Sequence, residues 1–310
     1  MVGEVPISWN ASLNKIPSRM GRLGEVDKFD AEYFQTSPSA AHLMDPRLRI
    51  LLEHTHEAIM DAGFNPTSLR GSKVGVFVGT MCEDSRILLK STTDDPNLLF
   101  GTFLSMLPNQ ISFAFDFHGP SLATDTACSS SLVALNEAIL NIRCGNCDAA
   151  IVAGVHLNLD SDFPKRYTGL GMLSADGKCK TFDVSANGYV RSEAAVVVFI
   201  CKESFARRSY AKILNEKVSS DGGKDQGILF PSGLAQERLL REVYTEAGID
   251  PENISYIEAH GTGTLAGDTQ EINAIDRTFC TNRQSGPLLI GSFKSNMGHP
   301  EPASGKFVFR

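Results

Sequence analysis

Asp125-Thr126-Ala127-Cys128-Ser129-Ser130-Ser131 sets a single cysteine in a run of small, mostly polar residues. A polar, turn-like stretch, His118-Gly119-Pro120-Ser121, precedes it. Leu132, Leu135, Ile139 and Ile142 follow at steps of three and four, the spacing of one apolar helix face, and Gly145 supplies a stop. The pattern predicts a turn that delivers Cys128 to the start of a helix. The helix dipole at that end favours a thiolate over a thiol. Small neighbours leave room for an acyl group to approach, which is the nucleophile-elbow arrangement with sulfur in place of oxygen.

To either side of this stretch the pattern is also informative. Residues 1–25 are polar and irregular, punctuated by Gly, Pro and Asn. Asp45-Pro46 reads as an N-cap followed by proline at the first helical position, opening a helix that turns Leu48, Leu51, Leu52 and Ile59 inward and ends near Gly63. Residues 74–78, 149–154 and 194–200 are apolar runs without alternation, hence strands buried on both faces. Residues 211–217 are a candidate partner for the last of these. Residues 94–113 read as partly helical with a break near Pro108. Residues 235–247 form a helix ending at Gly248, 254–259 a strand, 268–279 a helix and 288–292 a strand. Buried strands alternating with helices predict a layered α/β fold around a parallel or mixed sheet. No linker-like stretch divides the chain, so residues 1–310 read as one domain, with no internal repeat.

With 310 residues, 42% hydrophobic and 21% charged, the composition is that of a packed globular protein rather than a disordered one. A net charge of −7 without a basic tract argues against nucleic acid and anionic membrane surfaces as partners. No apolar run reaches the length of a membrane span and no secretory pattern opens the chain. Seven scattered cysteines form no disulfide framework and suit a reducing, cytoplasmic setting.

Two histidines fall just after predicted strands. His260 lies in Glu258-Ala259-His260-Gly261-Thr262-Gly263-Thr264, and His299 in Lys294-Ser295-Asn296-Met297-Gly298-His299-Pro300. Ligands of open α/β sheets bind at such strand ends. The loop after His260 offers amides and hydroxyls to an amide-rich or phosphate-bearing ligand arm. A lone cysteine is ordinarily a small buried hydrophobe and a lone histidine a satisfied one. Three such residues in small-residue loops at strand ends shift that balance. His118 sits beside an ordinary turn, His54 and His56 face different ways on a helix, and His42 and His156 carry no motif. Cys144-Gly145-Asn146-Cys147 is a CxxC without a second pair, so it predicts no zinc site. Gly261-Thr262-Gly263-Thr264 lacks the spacing of a dinucleotide fingerprint.

In order and spacing, the Cys128, His260 and Lys294–His299 segments resemble the three active-site motifs of β-ketoacyl synthases, over about residues 20–305. Met44-Asp45-Pro46-Arg47-Leu48-Arg49, Gly169-Leu170-Gly171-Met172-Leu173-Ser174 and Gly188-Tyr189-Val190-Arg191-Ser192-Glu193 are most similar to the ketosynthase part of animal type I fatty acid synthases. Polyketide synthase ketosynthases share much of this text. The resemblance implies a thiolase-like, layered αβαβα fold, with an N-terminal half over about 1–233 and part of a C-terminal half over about 234–310. It implies that Cys128 takes an acyl group from the phosphopantetheine arm of an acyl carrier protein. His260 and His299 would then promote decarboxylation of a malonyl-carrier, and the carbanion would attack the acyl-Cys to give a 3-ketoacyl-carrier. Lys294 would tune the site, with Glu301 as a second candidate, and Thr262 and Thr264 would contact the pantetheine arm. No metal and no bound cofactor are implied. A homodimer is.

The chain departs from the family's pattern at both ends. No apolar strand is expected within residues 1–20. The family's long helix, further strands and glycine-rich loop do not follow Pro302-Ala303-Ser304-Gly305. The expectation is a truncated ketosynthase, with a non-catalytic module that keeps carrier-protein or dimer contacts as the alternative. A cysteine hydrolase is a distant third, since nothing after Cys128 matches a protease signature.

Overall fold

The computed structural model describes residues 2–82, 84–90 and 93–308. In chain order the strands are β1 (Val2–Glu4), β2 (Arg19–Gly21), β3 (Val74–Gly79), β4 (Ser121–Thr124), β5 (Ala149–His156), β6 (Ala194–Cys201), β7 (Tyr256–Glu258) and β8 (Leu289–Gly291). The helices are α1 (Ala11–Asn14), α2 (Pro38–Leu43), α3 (Pro46–Asp61), α4 (Asp84–Lys90), α5 (Leu98–Thr102), α6 (Met106–Phe115), α7 (Ser130–Arg143), α8 (Asp162–Gly169), α9 (Gly233–Ala247), α10 (Leu265–Ile275) and α11 (Lys294–Met297). The chain divides into two compact units that interleave in sequence: residues 22–160, 193–212 and 300–310 form one, and residues 1–21, 161–192 and 213–299 the other.

The first unit, which carries Cys128, is built on a mixed sheet of order β4-β3-β5-β6. β3 runs parallel to both β4 and β5, and β6 runs antiparallel to β5. β3 and β5 are buried at every position, which explains their unbroken apolar text: a strand covered on both faces has no polar side to show. Helix α3 packs Leu48, Leu51, Leu52 and Ile59 into the core beside Val76, Val78, Ile151 and Val155. Its start is as the sequence predicts. Asp45 Oδ1 accepts from Arg47 N at 2.8 Å, and Pro46 takes the first helical position, where no amide is needed. Arg47 folds back on Asp45 with Nη2 to Oδ2 at 2.7 Å. Its Nη1 donates to Thr80 Oγ1 at 3.1 Å and Met81 O at 2.8 Å, tying α3 to the exit of β3.

The second unit carries the histidines. β7 and β8 pair in parallel, with α9 and α10 in the same unit. Ala259, Ile275 and Phe279 form a small core joined by Phe182, Leu240 and Tyr244. Ser232 Oγ caps α9 by accepting from Ala235 N at 3.2 Å, and Gly248 closes it in the left-handed region at φ 64°, as read from the sequence.

Several expectations differ from what forms. Residues 211–217 carry no strand, and β6 pairs with β5. The polar residues there are drawn to the surface of α9 instead: Asn215 Nδ2 donates to Val243 O at 3.0 Å, and Lys217 pairs with Glu242 at 3.1 Å. Pro108 does not break a helix. It sits in the first turn of α6, where its missing amide has no partner to lose, and the break falls at residues 103–105. The amino-terminal stretch does hold a strand, β1, paired antiparallel with β2. The helix predicted at 268–279 begins at Leu265 and ends in a π-turn, Asp276–Cys280.

Candidate active site

In the first unit, β4 delivers the chain to a 3-10 turn, Ala127–Ser129, and α7 starts at Ser130. Cys128 therefore sits directly before the helix, half-buried, with the open amides of the first turn behind it. Ala127 adopts φ 53°, a left-handed conformation that costs roughly 1–2 kcal/mol for a residue with a Cβ. The serines of the motif hold that turn. Thr126 N donates to Ser130 Oγ at 2.9 Å, and the same hydroxyl donates to Ala127 O at 2.6 Å. Ser129 Oγ donates to Thr126 O at 2.8 Å, and Asp125 Oδ1 accepts from Ala127 N at 3.1 Å. Space is set by Gly79 at the end of β3, where a Cβ would lie 2.5 Å from Ser130 C and Ser131 N. Only a glycine lets the strand and the helix start approach so closely. A cavity of about 380 Å³, lined among others by Leu104, Pro108, Leu122 and Thr124, reaches Asp125.

Glu301 belongs to the same unit. It is 1% exposed and its Oε2 lies 3.1 Å from His156 Nε2, at the end of β5. His156, without a motif in the sequence, is thus a buried polar group with a carboxylate partner. Ser304 Oγ donates to Cys128 O at 2.9 Å, and Gly305 N donates to Ser131 Oγ at 3.1 Å.

The second unit brings His260, His299, Lys294, Thr262 and Thr264 together. His260 lies two residues beyond β7. His299 lies farther from its strand than the sequence implied. α11 intervenes after β8, and His299 is fixed by a backbone bridge to Arg191, with His299 N donating to Val190 O at 2.8 Å and Ser192 N to His299 O at 3.0 Å. The two imidazoles meet edge to face with centroids 5.3 Å apart, and Tyr189 packs on His299 at 5.0 Å. His299 is buried, whereas His260 is exposed to solvent. Desolvation of the ring, and secondly the Lys294 ammonium, push the His260 pKa down to about 3. The ring's exposure admits water, which weakens that push without changing its direction, so His260 is an uncharged imidazole at neutral pH. Lys294 is 2% exposed, with Nζ over the Phe293 ring at 4.6 Å.

The glycine-threonine loop is held by two acids that the sequence pattern did not single out. Glu271 accepts from His260 N at 2.6 Å and Gly261 N at 2.8 Å. Burial pushes its pKa up, against the two amides and Lys294. Asp268 accepts from Gly263 N at 3.1 Å and Phe182 N at 2.8 Å. The available signal was a glycine-rich loop needing acceptors and a helix with two carboxylates right after it. Thr262 Oγ1 and Thr264 Oγ1 lie 3.2 Å apart. Gly263, at φ 82°, has no space for a Cβ, which would meet Lys180 N at 2.6 Å. Cys144 and Cys147 occupy different settings, the first exposed at the end of α7 and the second buried, its thiol pushed up by burial.

Two sequence profiles match this chain: "Beta-ketoacyl synthase, N-terminal domain" over residues 7–206 and "Beta-ketoacyl synthase, C-terminal domain" over residues 210–309. The chain belongs to the β-ketoacyl synthase family. Within it, the chain is 49% identical over 310 residues to a fatty acid synthase from Anser anser anser, covering 98% of this chain and 87% of that relative. It is 41% identical over 290 residues to a phenolphthiocerol/phthiocerol polyketide synthase of Mycobacterium tuberculosis, covering 91% of this chain and 15% of that protein. The ketosynthase from module 6 of the bacillaene synthase of Bacillus subtilis superposes with a TM-score of 0.88 at 34% identity, covering 99% of this chain and 54% of that one. The chain thus spans about half the length of the solved ketosynthase and a small part of the large synthase. The fold is the thiolase-like one of ketosynthases. Among the described residues no helix is long and apolar enough to cross a membrane.

Proposed function

We propose that this chain is the ketosynthase part of a fatty acid synthase and catalyses decarboxylating condensation of carrier-bound acyl groups. Cys128 is the nucleophile. Its thiolate attacks the thioester of an acyl group on the phosphopantetheine arm of an acyl carrier protein, giving acyl-Cys128 and a free carrier thiol. His260 and His299 bind the carbonyl oxygen of the malonyl thioester. They donate hydrogen bonds to the enolate oxygen that forms as CO₂ leaves. The enolate carbon then bonds to the acyl carbon and Cys128 leaves as thiolate, yielding the 3-ketoacyl-carrier. Lys294 supplies a fixed positive charge that opposes protonation of His260. Thr262 and Thr264 bind the pantetheine arm, and Glu301 supports the site through its contact with His156. No metal or resident cofactor takes part.

The observation that carries this reading is the histidine pair: two imidazoles in edge-to-face contact, one kept neutral by desolvation and a lysine. A neutral imidazole still carries one N–H, which can donate to a developing oxyanion. The partners are a carrier-protein domain and a second copy of this chain. β4, an outer strand of its sheet with Leu122 44% exposed, supports pairing with that second copy. The setting is the cytoplasm.

The test separates the two half-reactions. Cys128→Ala should lose thioester labelling by an acyl donor yet still release CO₂ from a malonyl thioester. His260→Ala and His299→Ala should be labelled normally and lose CO₂ release by about 10²-fold or more. Labelling of Cys128→Ala at the wild-type level would overturn the assignment.

A further inference from the structure

Residues 301–305 have no catalytic assignment beyond the supporting role of Glu301, yet they touch the nucleophile's own backbone. The segment opens the 3-10 helix Glu301–Val308, and its first residue holds φ 45°. Two attachments fix it within its unit. At one end the Glu301 carboxylate meets His156 at 3.1 Å, with both side chains essentially excluded from solvent. At the other, Gly305 N donates to Ser131 Oγ at 3.1 Å, and a Cβ on Gly305 would lie 2.4 Å from Leu132 Cγ, so the chain lies directly on the first turn of α7. Between them Ser304, 2% exposed, donates its hydroxyl to Cys128 O at 2.9 Å.

That carbonyl belongs to the peptide joining Cys128 to Ser129. Rotating this peptide changes ψ of Cys128 and swings the thiol relative to the helix start. The turn around it is strained at Ala127, so it keeps its shape only while hydrogen bonds hold it. The serines of the motif bond the carbonyls of Thr126 and Ala127. Ser304, 176 residues away in sequence, adds a bond to the Cys128 carbonyl.

We propose that residues 301–305 form a positioning strap in which Ser304, anchored through Glu301 on His156 and Gly305 on Ser131, fixes the peptide that carries the Cys128 thiol. This rests on Cys128 being the acyl acceptor. Ser304 touches no reacting atom. In the step it serves, Cys128 Sγ bonds to the donor carbonyl carbon, the donor C–S bond breaks, and the donor thiolate takes up the proton that the Cys128 thiol gave up.

The experiment compares the full chain with Ser304→Ala and Ser304→Thr, using a short-chain acyl thioester as donor and iodoacetamide as an independent probe of Cys128. Ser304→Ala should lower the saturating acylation rate about five- to tenfold, the equivalent of one buried hydrogen bond. The half-saturating concentration should stay the same, and alkylation of Cys128 should slow in parallel. Ser304→Thr keeps the hydroxyl and should restore both rates. Glu301→Gln, at the anchor, should slow acylation in the same direction. Wild-type rates in Ser304→Ala, or a threonine variant as slow as alanine, overturn the strap. If the wild-type chain takes no acyl group, the functional reading fails, and the iodoacetamide rates alone decide the strap by the same comparison.

Discussion

Gly79→Ala tests the elbow most directly. Gly79 ends β3 where α7 begins, and an added Cβ would sit 2.5 Å from the backbone of Ser130 and Ser131 and 2.6 Å from Ser131 Cα. Ordinary contact begins at 3.4 Å, so the helix start must retreat by 3.4 − 2.5, about 0.9 Å. The clashing atoms are backbone, so no side chain can yield. Overpacking of this kind costs about 1–3 kcal/mol. The same retreat moves Cys128, which precedes Ser130 by two residues, and a displacement near 1 Å can cost about 10²-fold in rate. The assay pairs urea unfolding with the rate of Cys128 acylation. Gly223→Ala is the control, because nothing lies within 4 Å of a Cβ there and its φ is ordinary. Stability loss with an unchanged acylation rate would refute the link between this contact and the thiol's position. No change in either would refute the steric argument itself.

Arg47→Met strips the partner from Asp45, 1% exposed, and should destabilise by about 3–5 kcal/mol in urea unfolding; a change below about 1 kcal/mol would show that Asp45 finds compensation elsewhere. His260 predicts a pH signature. Its folded-state pKa is pushed below the ordinary 6.5, so below that pH the folded state binds fewer protons than the unfolded chain. Its contribution is fully present above pH 6.5 and is lost as pH falls. Wild type should therefore lose more stability than His260→Gln between pH 7 and pH 5, and equal losses would show that the imidazole titrates normally. Thiol reactivity should divide the cysteines: Cys179, buried and pushed up to about 11, should resist iodoacetamide at pH 8 in the native state, while exposed Cys144 reacts. Native-state labelling of Cys179, read by peptide mass spectrometry, would contradict that burial.

Elements whose signal is local were legible in the sequence. The apolar runs that became β3, β5 and β6 and the three-four spacing of α7 are stated residue by residue in the chain. So are the proline and acid that open α3. Each reflects backbone geometry and burial acting over a few neighbours. The spacing of the Cys128, His260 and His299 segments also marks the family without any coordinate. Where local pattern was ambiguous the expectation missed. Residues 211–217 look like a strand until Asn215 and Lys217 find partners on α9. Pro108 looks like a break until it is seen in a first turn, where its missing amide is harmless.

What supports the chemistry was settled by packing. Glu271 became the acceptor for the His260 loop because α10 turns that carboxylate onto two loop amides. His156 and Glu301 became a pair because β5 ends where the chain returns 145 residues later. Ser304 reaches the Cys128 carbonyl across 176 residues, and Gly79 matters only because a helix start lies against it. These contacts join segments that share no period and no spacing. Sequence pattern encodes which face of an element is apolar, whereas a hydrogen bond between distant segments exists only once packing has brought donor and acceptor within about 3 Å of each other.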